Sequence, residues 1–109
     1  MVKYKIVGHE YLFDFGENAK YQLKFKSETE LEVKVVADSY FKSGIVNHFT
    51  IEMTEVRDGL YLLTWTEPDS GNTVSHVDDF TAKVAYTNIT NVPDNQFWRL
   101  KGTIKQLKD

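Results

Sequence analysis

The chain has 109 residues, of which 41% are hydrophobic, 27% charged and 14% aromatic, with no cysteine and a formal net charge of −3. That length bounds it to a single domain, 1–109, with one core and no room for a second unit. The absence of cysteine excludes disulfide and thiolate chemistry, and the acidic balance argues against nucleic acid as a partner.

Alternation of apolar and polar residues is the recurring pattern, and it predicts strands rather than helices. Tyr11, Phe13 and Phe15 alternate with Glu10, Leu12 and Asp14 in the first run. After a turn at 16–18, Tyr21, Leu23 and Phe25 alternate with Gln22, Lys24 and Lys26. These lysines are broken up by Glu28, Glu30 and Glu32, so no basic stripe forms. A turn at 27–29 leads to Leu31, Val33 and Val35. The longer connection 37–47, containing DSYFKSGIV, is open to reading as a loop, a short helix or a lid. Phe49, Ile51 and Met53 mark the fourth strand, and Asp58-Gly59 precedes a fifth over 60–67. The turn Pro68-Asp69-Ser70-Gly71 separates it from a strand at 73–77, and two more fit 82–90 and 96–107.

Eight strands joined mostly by short turns predict an all-β fold, an eight-stranded antiparallel up-and-down barrel of lipocalin or calycin type. A sandwich needs long crossovers, which are scarce here. No apolar run approaches the roughly 20 residues of a membrane helix, so no membrane partner is expected. The N-terminal stretch has no apolar signal region, which makes the cytoplasm the expected location.

The hairpin TWTEPDSGNTVSHVDDF, Thr64 to Phe80, is the densest collection of chemically capable side chains. With the turn on Pro68–Gly71, Glu67 faces Asn72, Trp65 faces Val74, Leu63 faces His76 and Tyr61 faces Asp78. That face has the larger apolar residues and is expected inside. Glu67 and His76 are then separated by about 13 Å along the sheet, too far for a direct acid–base pair. His76 is expected to lie deeper, satisfied by Asp78 or by backbone, while Asp78 and Asp79 would end the strand in an Asx-type turn. Glu67 is the best acid/base candidate if it points inward, and otherwise a solvated turn residue. The histidines His9, His48 and His76 fall on different strands without local ligand spacing, so no metal site is expected. The scattered glycines form no phosphate loop, and no cofactor is expected.

The same hairpin carries a family resemblance. GLYLLTWTEPDSGNTVSHVDDF, VAYTNIT and PDNQFWRLKGTI together resemble the MoaF-like proteins, named for molybdenum cofactor biosynthesis protein F. The likeness runs from Gly8 to Ile104 and implies a small calycin-type barrel, with little about its chemistry. A more distant resemblance is to the bacterial phenolic acid decarboxylases, through Gly59-Leu60-Tyr61 followed by Trp65-Thr66-Glu67-Pro68. It implies a cavity role for Glu67. The two first-strand tyrosines and the arginine of that family have no counterparts, since Phe13, Phe15 and Lys42 stand near those places. Losing two phenols and a guanidinium removes the groups that would hold a phenolic acid. A cavity of similar shape with more apolar walls is the expectation that remains.

The function expected first is binding of a small hydrophobic or aromatic molecule, with Tyr11, Phe13, Phe15, Phe25, Trp65 and Trp98 lining the cavity. The alternative is an acid/base enzyme of decarboxylase or isomerase type, with Glu67 as the key carboxylate and His76 or Tyr11 orienting. A third reading is a homodimer through Tyr40, Phe41, Ile45 and Val46, which would equally serve as a lid. The plain reading is that the aromatics simply fill the core, which eight strands allow.

Overall fold

The computed structural model describes residues 5–107 and is all-β over that range, built from nine strands. They are β1 (Glu10–Asp14), β2 (Ala19–Phe25), β3 (Glu30–Asp38), β4 (Val46–Thr50), β5 (Glu52–Arg57), β6 (Leu60–Glu67), β7 (Asn72–Asp79), β8 (Val84–Asn91) and β9 (Gln96–Gln106). Every pairing is antiparallel, in the order β4-β3-β2-β1-β9-β8-β7-β6-β5. Each neighbour in space is a neighbour in sequence except β1 and β9, whose pairing joins the two ends of the chain. This is an up-and-down barrel.

The expected count of eight is corrected to nine because the fourth strand is split. Its alternation runs unbroken through Phe49, Ile51 and Met53, but the chain changes partners at Ile51. The half before it pairs with β3, and the half after it pairs with β6. Ile51 donates its backbone N–H to Thr29 O at 2.8 Å and buries its side chain in the core. The two outer strands of the ladder are thus halves of one continuous segment, and the covalent chain completes the ring. The connection 39–45 is a loop, its base pinned by Val35 N–H to Ile45 O and Gly44 N–H to Val35 O, both 2.8 Å.

One end of the barrel is packed solid. Phe80 follows β7 and turns inward, held by a 2.8 Å bond from its N–H to Gly59 O. Around its ring lie Tyr11 at 4.8 Å, Tyr61 at 5.6 Å, and Phe13 and Phe25 at 6.2 Å, in edge-to-face geometry. Leu31, Leu63 and Ile6 are buried in the same hydrophobic core. Each fully buried phenylalanine contributes about 1.5–3 kcal/mol from area alone, and edge-to-face contacts add to it. The other end of the barrel is open.

Candidate functional site

The open end holds a cavity of about 870 Å³. Its walls come from alternate positions on almost every strand: Leu23, Val33, Val35, Val74, Ile89 and Leu100 supply the aliphatic part. Aromatic faces come from Phe15, Phe49, Trp65 and Trp98, and Tyr40 and Phe41 of the 39–45 loop lie at the rim. Asp38 shapes that loop, accepting the backbone N–H of Tyr40 at 2.7 Å and of Phe41 at 3.1 Å.

Phe15, Trp65 and Trp98 line the cavity, whereas Tyr11, Phe13 and Phe25 do not; they belong to the packed end. All six lie on the inner side of the barrel. What alternation does not carry is depth along the barrel axis, and depth divides core from cavity wall.

Trp65 is held by both a ring contact and a hydrogen bond. Its indole stacks on Phe49 at 6.1 Å with planes 19° apart, a contact that spans the join between β4 and β6. Its Nε1–H donates to Glu67 Oε2 at 2.9 Å. Glu67 Oε1 also accepts from Ser70 Oγ and from Asn72 Nδ2, each at 3.3 Å. Asn91 extends the network to the next turn, donating from Nδ2 to Asn72 Oδ1 and Ser70 O at 2.8 Å. Glu67 thus borders the cavity as an acceptor that fixes the indole and the turn.

His76 lies at the boundary between the packed and open halves. The expected hairpin register holds throughout: Glu67 pairs with Asn72, Trp65 with Val74, Leu63 with His76 and Tyr61 with Asp78. His76 is buried, with its ring 4.9 Å from Trp65, 5.7 Å from Phe13 and 5.9 Å from Phe15. Its Nδ1 meets Asp78 Oδ1 at 3.2 Å and Oδ2 at 3.3 Å, so Asp78 is the partner that satisfies it.

The expectation that Asp78 joins Asp79 in a strand-ending turn needs correction. Asp79 does so alone, accepting from Thr81 N–H at 3.0 Å and Ala82 N–H at 2.9 Å. Asp78 is fully buried inside the barrel. Burial pushes its carboxyl above the ordinary 3.8, and the neighbouring His76 pulls it part of the way back.

Two further polar groups escaped the sequence reading. Tyr21 borders the mouth and donates its hydroxyl to Asp38 Oδ2. Burial first, and the Asp38 carboxylate second, hold that phenol well above its usual range. Thr87 stands opposite His76 on β8, buried on the cavity wall. The pairing of β7 with β8 is what brings Thr87 there, and a lone threonine in VAYTNIT gives no local sign of it. Among the described residues, no group of three or more His, Asp or Glu side chains could hold a metal ion.

Fold and site together define a small antiparallel barrel, packed at one end and hollow at the other. Residues 7–105 match the profile of the MoaF-like proteins, and the chain belongs to that family. No curated protein matches the sequence significantly. A crystal structure from Burkholderia vietnamiensis, described as that of a proposed beta-lactamase, is similar with a TM-score of 0.84 and 19% identity, covering 98% of this chain and 100% of that one. An identity that low carries the fold and leaves the chemistry to the site itself.

Proposed function

We propose that the protein binds a small hydrophobic or aromatic molecule in the open end of its barrel. The observation that carries this reading is the cavity of about 870 Å³ beside a solidly packed core. Its size falls within the roughly 300–1,000 Å³ of small-molecule sites. Aromatic side chains form much of its wall, and Trp65 presents an indole whose orientation is fixed by Glu67 and Phe49. Such pre-orientation lowers the ordering cost of binding.

An acid/base enzyme centred on Glu67 has less support, because both carboxylate oxygens already accept hydrogen bonds from Trp65, Ser70 and Asn72. A cytoplasmic protein is in keeping with the cysteine-free composition. No helix among the described residues is long and apolar enough to cross a membrane. A homodimer through the exposed rim residues Tyr40, Phe41, Ile45 and Val46 accompanies this reading.

N-phenyl-1-naphthylamine, a neutral aromatic dye that brightens in apolar surroundings, tests the binding. It is expected to brighten saturably, with quenching of tryptophan emission in step. Ile89→Trp, which adds bulk to the cavity wall, should weaken binding about tenfold or more while circular dichroism stays unchanged. Unchanged dye affinity in that variant would place binding elsewhere and remove the reading.

A further inference from the structure

Two buried polar side chains stand among the residues that line the cavity. His76 and Thr87 stand directly opposite one another on β7 and β8, so their Cβ atoms are about 5 Å apart on the inner face. Both line the cavity. Asp78 occupies Nδ1 of His76, which leaves Nε2 as the ring nitrogen for a ligand. Thr87 is only 2% exposed, and its Oγ1 has no hydrogen-bond partner. A buried hydroxyl without a partner costs free energy that a partner would recover.

The charges along the cavity are one-sided. Glu17, Asp38, Glu67 and Asp69 line it, and among the described residues no lysine or arginine does. A carboxylate ligand would meet four like charges with no guanidinium or ammonium to offset them.

We propose that His76 and Thr87 form a hydroxyl-recognition subsite in the cavity wall, and that the ligand is an uncharged aromatic molecule carrying a hydroxyl group. This rests on the cavity-binding reading and specifies its ligand class. A hydroxyl can donate to one partner while accepting from the other, so it fits whichever ring nitrogen of His76 carries the proton. The rest of the molecule then lies against Trp65 and Phe15, whose rings are 4.9 Å and 5.9 Å from the imidazole. The acidic rim selects against acids of the same shape.

Isothermal titration of the whole protein with naphthalene, 2-naphthol and 2-naphthoate tests this directly. The expected order is 2-naphthol about fivefold tighter than naphthalene, corresponding to one net hydrogen bond, with 2-naphthoate weaker than both. Thr87→Val leaves His76 as the hydroxyl's single partner and should cut the preference for 2-naphthol at least in half while naphthalene binding persists, which also reports that the variant is folded. Thr87→Ser keeps the hydroxyl and should keep the preference. Equal affinity of the wild-type protein for naphthalene and 2-naphthol would overturn the subsite and leave the cavity reading standing. Tightest binding by 2-naphthoate would overturn the inference through its charge argument. Binding of none of the three would overturn the cavity reading and the inference with it.

Discussion

The imidazole of His76 and the carboxylate of Asp78 show how strand geometry sets side-chain roles. Two residues apart on one strand, they share a face, and burial forces them to satisfy one another at 3.2 Å. Asp78 titrates upward chiefly because it is desolvated. A raised folded-state pKa means that the native protein holds this proton more tightly than the unfolded chain does. Its contribution to stability is therefore fully present below the ordinary 3.8 of the unfolded chain and is lost as pH rises through the folded value. Asp78→Asn removes that titration. The stability of wild type relative to the variant should thus fall as pH rises above about 4, read from urea midpoints between acid and neutral pH. A difference that stays constant with pH would contradict the assignment. The i, i+2 spacing made this pair visible in the chain. Thr87 was not visible, because its importance comes from a cross-strand partner 11 positions earlier in sequence.

At the level of elements, the β6–β7 hairpin was legible down to its register. Pro68–Gly71 dictates a turn, Gly71 takes a positive φ of 78°, and both Ser70 and Gly71 donate N–H groups to Glu67 O. The division of the fourth strand at Ile51 was not legible, since nothing interrupts the alternation there. Which strand each half pairs with is decided by closure of the whole ring. Closure also imposes a requirement at Gly102 of β9, where a Cβ would lie 2.4 Å from Asp14 O and 2.6 Å from Phe15 Cδ1. Only a hydrogen fits beside the end of β1. Gly102→Ala should cost about 1–3 kcal/mol by overpacking, measured by chemical denaturation, because the obstructing atom is backbone and has little room to move. A neutral outcome would mean that the β1–β9 join is looser than its geometry implies.

The molecule as a whole divides along its axis. Phe80, Tyr11, Phe13, Phe25 and Tyr61 seal one end, and Trp65 and Trp98 stand in the wall of the other. Beside the acidic side chains of the open mouth, Tyr40 is 79% exposed and Phe41, Ile45 and Val46 are also exposed. Tyr40 makes a ring contact with Trp98 at 6.5 Å, which sets the loop beside the cavity. If two copies cover these side chains mutually, sedimentation should show a dimer whose population rises with concentration, and Tyr40→Glu with Phe41→Glu should shift it to monomer. A strict monomer at high concentration would assign the rim to the cavity alone.

Local physics in the chain was sufficient for an all-β barrel, its up-and-down order, the inward face of each run and the register of the central hairpin. These depend on period-two alternation and on turn chemistry, both of which act over a few residues. Tertiary structure alone decided that Tyr11, Phe13 and Phe25 are core while Phe15, Trp65 and Trp98 line a cavity. It also set Thr87 against His76. Those outcomes depend on where a residue falls along the barrel axis and on what the neighbouring strand places beside it, and alternation within a single strand records neither.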